Sequence, residues 1–168
     1  EEEGNKKTRK RKEETEENHS NNLEIKSTPI EKYLTPNPDE MVRLIIDDVN
    51  RFELDDKIIV SSFDWRILNE IKKTYPKIYR AYLTSEKKGK IYDKSPWLIF
   101  MPLYDSNVNE LPRLIKTLGG RAWHPKHIDI NKDVVRISHE VGLPVNVWTV
   151  NEEFEMLRMI DYGVDGII

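Results

Sequence analysis

From residue 21 onward, hydrophobic positions recur with two alternating periods. In "NNLEIKS" (21–27), Leu23 and Ile25 alternate with Glu24 and Lys26, so the aliphatic pair shares one face of a strand and the charged pair the other. "NPDEMVRLIIDDVNRFEL" (37–54) switches to helical spacing, with Met41, Leu44, Ile45, Val49 and Phe52 on one stripe. Asn37 stands at the expected N-cap, Pro38 at the first helical position, and Glu40 where a capping box needs it. "KIIVSSF" (57–63) is a short β-branched run of the kind covered on both faces. "DWRILNEIKKTY" (64–75) sets Trp65, Leu68 and Ile71 on one helical stripe and stops before Pro76. "IYRAYLTS" (78–85) reads as the next strand.

The rhythm loosens between residues 85 and 110, where a polar turn precedes an apolar cluster from Trp97 to Tyr104. That cluster reads as a hydrophobic plug packed on the domain, with a grip on a lipid-like tail or a partner as the alternative. A helix over 110–118 ends at Gly119 and Gly120, and a short strand is marginal near 121–124. A helix over 131–141 closes at Gly142, and a strand follows over 145–150. Asn151 is the expected cap of a further helix that Gly163 closes, before a strand over 164–168. Strands alternating with helices at this spacing specify an α/β fold with a parallel sheet or barrel. No strand is followed by a GxGxxG or P-loop sequence, which argues against a nucleotide-binding open sheet.

Composition narrows this picture. Residues 1–20 contain no aliphatic or aromatic side chain, so nothing there offsets the entropy of ordering, and the segment is expected to be disordered. Its "KKTRKRK" core lies between glutamate blocks that screen it from phosphates, so a solvated tail is favoured over a nucleic-acid patch. The folding unit is then 21–168. The 168 residues fall short of the ~250 typical of a complete (β/α)8 barrel. A net charge of −3 gives no general attraction to nucleic acid or anionic membrane. No apolar run approaches the ~20 residues of a membrane span. The absence of cysteine excludes disulfides and thiolate metal sites and fits a cytoplasmic setting.

The ending "VNVWTVNEEFEMLRMIDYGVDGII" resembles the C-terminal signature of glycerophosphodiester phosphodiesterases, in which a W-T-V-N strand end leads through a helix to G-V-D-G-I-I. "NLEIKS" is similar to that family's internal E-x-K strand, and "IIVSSFDWRILNEIKK" to its following S-F strand and helix. The resemblance covers about residues 21–168. It implies the C-terminal portion of a TIM-type (β/α) barrel, incomplete at both edges. The family's His-Arg-Gly strand, Glu-x-Asp strand and His-Asp strand end are not found, nor is the final T-D-Y-P. None of His19, His124, His127 and His139 has the neighbours of a family histidine. The catalytic acid and base are therefore expected outside this chain.

Inward-facing residues at the C-terminal strand ends build the active site of such a barrel. The resemblance implies that Glu24 is one ligand of a divalent metal, Mg²⁺ or Ca²⁺, and that Lys26 contacts the substrate phosphate. Both hard cations favour carboxylate oxygen. The alternative is a surface ion pair between the two. Trp148 matches a family tryptophan that lines the substrate pocket, or else it fills a barrel layer. Phe63 is a candidate contact for the alcohol, with packing as its other role. Ser61 and Ser62 have no histidine at a motif-like position, so neither is read as a nucleophile. "HPKHID" does not place His124, His127 and Asp129 on one helical face, and it is read as a loop rather than a metal site.

The implied activity is metal-dependent hydrolysis of a glycerophosphodiester to glycerol 3-phosphate and an alcohol, with this chain inactive alone. The competing expectation is a non-catalytic barrel fragment that binds a partner. Open strand edges near Glu24 and Ile168 are expected to drive self-association or pairing with a missing N-terminal half.

Overall fold

The computed structural model describes residues 21–29, 33–85 and 108–168. The charged segment 1–20 and the cluster Trp97–Tyr104 lie outside the described residues. Among the described residues six strands and five α-helices alternate: β1 (Asn21–Ile25), α1 (Pro38–Arg51), β2 (Ile58–Ser62), α2 (Trp65–Thr74), β3 (Tyr79–Thr84), α3 (Leu111–Thr117), β4 (Ala122–Pro125), α4 (Lys132–Glu140), β5 (Asn146–Val147), α5 (Glu153–Tyr162) and β6 (Gly166–Ile167).

β1 to β4 form one parallel sheet in chain order, and β5 pairs with β6. Parallel bridges Trp123–Val145 and Lys126–Trp148 carry the order from β4 to β5. The array is thus a portion of a TIM-type barrel, with β1 and β6 at its two edges among the described residues. The marginal segment near 121–124 is a true strand, held on β3 by the register Ala81–Ala122 to Thr84–Pro125. The segment 145–150 is regular only over Asn146–Val147.

One face of the sheet meets the helices. Val60, Tyr82, Trp123, Val145 and Val147 pack there with Val42, Ile46, Leu68, Ile71, Ile115 and Val134. Trp65 and Tyr82 meet edge to face, their ring centroids 4.9 Å apart. By strand alternation the other face carries Glu24, Ser61, Leu83, His124 and Asn146. The β1 strand is less covered than its neighbours: Ile25 is buried, but Leu23 stays 39% exposed. Among the described residues β1 has a single strand neighbour.

Local chemistry sets the helix ends. Asp64 caps α2, accepting from the Arg66 amide at 3.1 Å, and Asn131 caps α4 by accepting from the Val134 amide at 3.0 Å. Asn37 does occupy the cap position of α1 and Pro38 its first turn, but the Asn37 side chain makes no capping bond. The buried stripe of α1 is Val42, Ile46 and Val49, flanked by Met41 and Ile45. Leu44 and Phe52, expected on that stripe, are exposed; the helix is rotated toward the more central β-branched set. α5 begins one residue later than expected, with Glu152 rather than Asn151 at the cap position and no side-chain bond there. Gly163 ends it at φ +79°, a left-handed conformation that glycine adopts without penalty.

Candidate active site

The C-terminal strand ends converge on one cleft of about 550 Å³, lined by Glu24 and Lys26 from β1 and the turn after it, Phe63 after β2, Ser85 after β3, Lys126 after β4, Trp148 and Thr149 after β5, and Ile168 after β6. The four residues singled out from the sequence, Glu24, Lys26, Phe63 and Trp148, therefore line one cavity. They come from three separate strand ends. Phe63 and Trp148 stand three strands apart, yet their rings meet edge to face at 5.4 Å and 89°. A flat sheet would hold those backbones about 14 Å apart, three spacings of about 4.8 Å. Inward curvature closes the mouth.

Glu24 and Lys26 lie within 3.9 Å, their side chains 36% and 81% exposed. An ion pair this exposed and this long contributes little to stability. Both groups remain open to a ligand in the cleft.

The end of β1 is held from behind. Ser62 Oγ donates to the Ile25 carbonyl at 2.7 Å and accepts from the Asp64 amide at 3.0 Å. The Ser27 hydroxyl donates to Asp64 Oδ2 at 2.7 Å. Asp64 is fully buried. It also accepts from Arg66 Nε at 2.8 Å and Arg66 Nη2 at 2.6 Å. That hydrogen bond to Asp64 raises the Arg66 pKa against the lowering effect of burial. One carboxylate thus caps α2 and anchors the turn that follows Lys26. Asp64 stands at the expected helix start, whereas its bond to Ser27, 37 residues away, is a tertiary contact that no local pattern signals.

Trp148 is fixed from its own side. Its indole Nε1–H donates to the His124 carbonyl at 2.8 Å. Lys126 Nζ sits 6.0 Å from the Trp148 ring centroid. Lys126 went unnoticed in the sequence because its strand was marginal; the bridge Lys126–Trp148 brings it to the mouth.

Among the described histidines, none lines the cleft. His124 lies below it on the inward face, 1% exposed. Its Nε2 accepts from Asn146 Nδ2 at 3.0 Å, while Nδ1 has no partner among the described residues. Burial lowers its pKa from 6.5 to about 4, so the ring is neutral at physiological pH. His127 lies between the Trp148 carbonyl, 3.2 Å from Nδ1, and the Glu155 carboxylate, 3.1 Å from Nε2. His139 is exposed on α4 and contacts Asp165 at 2.9 Å.

The donor set does not by itself fit a divalent cation. Among the described residues no group of three His, Cys, Asp or Glu could hold one. Glu24 is the one carboxylate among the described residues lining the cleft, whereas Mg²⁺ and Ca²⁺ take six or more oxygen ligands.

Residues 7–168 match the Glycerophosphoryl diester phosphodiesterase family. The chain belongs to that family. A glycerophosphodiester phosphodiesterase of Bacillus altitudinis is 27% identical over 148 residues, which are 87% of this chain and 50% of that protein. A crystal structure from Silicibacter pomeroyi DSS-3, assigned to the glycerophosphoryl diester phosphodiesterases, superposes with a TM-score of 0.71 at 33% identity, covering 87% of this chain and 45% of the other. A phosphodiesterase of Oleispira antarctica, solved with the product sn-glycerol-3-phosphate, shares the fold with a TM-score of 0.63 at 19% identity over 90% of this chain and 51% of that one. The chain spans about half the length of the curated relatives it matches. No helix among the described residues is long and apolar enough to cross a membrane.

Proposed function

We propose that this phosphodiesterase-family chain forms the C-terminal half of the active site of a metal-dependent enzyme. The enzyme hydrolyses a glycerophosphodiester to glycerol 3-phosphate and an alcohol, in phospholipid breakdown. The observation that carries this reading is the meeting of Glu24, Lys26, Phe63 and Trp148 in one cleft at the strand ends. Glu24 offers one oxygen ligand to Mg²⁺ or Ca²⁺, and the remaining ligands come from outside the described residues. A bound divalent cation would polarise the phosphoryl oxygen. Lys26 neutralises charge that grows on the phosphate oxygens. The Phe63–Trp148 pair walls off the alcohol side. The Oleispira antarctica protein of the same fold was solved with sn-glycerol-3-phosphate, the product that this reading assigns to the reaction.

Among the described residues the cleft offers no histidine as acid or base to the reaction. The described histidines are buried or turned away from the cleft. General acid–base assistance is typically worth about 10² to 10⁴ in rate. We therefore assign the chain no hydrolysis on its own and a need for the barrel half that its relatives carry. That half would cover the β1 and β6 edges and the outer face of α5, where Phe154, Leu157 and Ile160 are exposed. Without it, a second copy of this chain is the occupant of those edges.

Joining the chain, by fusion or co-expression, to the N-terminal half of a family relative should restore metal-dependent release of glycerol 3-phosphate. Glu24→Gln in the joined protein should reduce that release to background, and Lys26→Ala should lower turnover with metal binding retained. Metal-dependent release by the isolated chain would refute the half-site reading. Full activity of the joined Glu24→Gln protein would return Glu24 and Lys26 to a surface ion pair. If the joined protein is folded but inactive, the non-catalytic binding module becomes the better account.

A further inference from the structure

Two ammonium groups enter the cleft from different rims, and only one is balanced. Lys26 lies beside the Glu24 carboxylate. Lys126 lines the same cleft and makes no ion pair with any described residue. Its backbone is fixed at both ends: its amide donates to the Thr84 carbonyl at 3.0 Å, and its carbonyl accepts from the Asp129 amide at 2.9 Å. The side chain is half-buried. Its Nζ stands over the Trp148 ring, which is oriented by the His124 carbonyl and flanked edge-on by Phe63.

An aromatic wall of this kind is the usual receptor for a quaternary ammonium group. Here the cation over the indole face is supplied by the protein itself. A positively charged alcohol entering beside Trp148 would have to displace Lys126 or lie next to it, in a cleft that screens charge less than bulk water does. An anionic or hydroxyl-rich alcohol meets a free ammonium group and the residues Ser85 and Thr149, which line the same space.

We propose that Lys126, poised over Trp148, is the specificity-determining residue of the alcohol side, and that it selects glycerophosphodiesters with an uncharged polyol or anionic alcohol against those with a quaternary ammonium alcohol. The inference rests on the phosphodiesterase reading of the cleft. It adds the class of substrate and the residue that chooses it.

The test is equilibrium binding to the full chain, read by titration calorimetry without turnover. The two probes, sn-glycero-3-phosphoglycerol and sn-glycero-3-phosphocholine, share the glycerophosphoryl group and differ only in the alcohol. At low ionic strength the glycerol diester should bind roughly tenfold more tightly or better. Lys126→Gln should shrink that ratio to about threefold or less, and Lys126→Glu should reverse it. Raising salt from about 0.02 M to about 0.5 M should narrow the wild-type ratio, a readout that needs no variant to fold. Equal binding, preference for the choline diester, no binding of either probe, or a ratio that survives both Lys126→Gln and high salt would each overturn the proposal. Hydrolysis by the joined protein reports separately on the phosphodiesterase reading. Turnover without the preference would leave that reading standing and remove this one, and the preference without turnover would remove the hydrolytic reading and keep Lys126 only as the residue that selects the bound ligand.

Discussion

Helices α2 and α5 each have 10 residues, and their surroundings differ sharply. α2 buries Trp65, Ile67, Leu68 and Ile71 completely. α5 buries only Met159 and leaves Phe154, Leu157 and Ile160 at 65%, 59% and 64% exposure. α5 is no less apolar than α2. The difference is position in the array: α2 lies over β2 and β3 with α1 beside it, whereas α5 adjoins β6, an edge strand among the described residues. Burying one large aliphatic or aromatic side chain stabilises by about 1.5–3 kcal/mol. The outer face of α5 therefore holds several kcal/mol of apolar surface that the other described residues leave uncovered. A helix in a (β/α) array has its apolar stripe fixed by composition, but its burial depends on which neighbours exist.

The largest expected effect tests the covered helix. Trp65→Ala removes the fully buried ring that packs on Tyr82 and donates to the Leu83 carbonyl. It should lower the unfolding free energy by about 4 kcal/mol in a denaturant titration. A cost near that of a surface substitution would show that α2 is not the centre of the core.

Next in size is a pH effect from the polar inward layer. His124 has a folded-state pKa of about 4, below the ordinary 6.5 that the unfolded chain retains. The unfolded state therefore takes up the proton first as pH falls. This contribution to stability is full above pH 6.5, shrinks as pH falls toward 4 and levels off below it. The loss attributable to His124 is about 3 kcal/mol across that window. His124→Asn should flatten this part of the stability profile, measured as the difference between variant and wild type at matched pH. An unchanged profile would mean that the ring is hydrated in solution.

Asp64 probes the link between α2 and the cleft. Asp64→Ala leaves Arg66 and Ser27 without their acceptor and should cost about 2–3 kcal/mol. It should also loosen the turn after Lys26, read as faster amide hydrogen exchange there.

The smallest effect belongs to the bare helix. Leu157→Asp should change unfolding free energy by less than about 0.5 kcal/mol in dilute protein. Combined with Phe154→Ser and Ile160→Ser, it should shift sedimentation of concentrated protein toward monomer. If Leu157→Asp costs as much as Trp65→Ala at low concentration, the α5 face is covered after all, and the contrast between the two helices fails.

The sequence by itself determined the alternation of strands and helices, the parallel α/β class and the existence of nearly every element, because periods of 2.0 and 3.6 are local properties. It also carried the family signature and, through E-x-K, S-F and W-T-V-N, the four cleft residues Glu24, Lys26, Phe63 and Trp148. Tertiary structure decided the rest. The stripe of α1 centres on Val42 and Ile46 rather than Leu44 and Phe52 because the sheet below chooses among nearly equivalent apolar faces. β4 exists because β3 pairs with it, not because "AWHP" favours extension. Lys126 reaches the cleft through that pairing, and Asp64 finds Ser27 across two strand ends. Each of these depends on contacts between residues distant in sequence. Such contacts follow from sheet order and curvature, which no local period encodes.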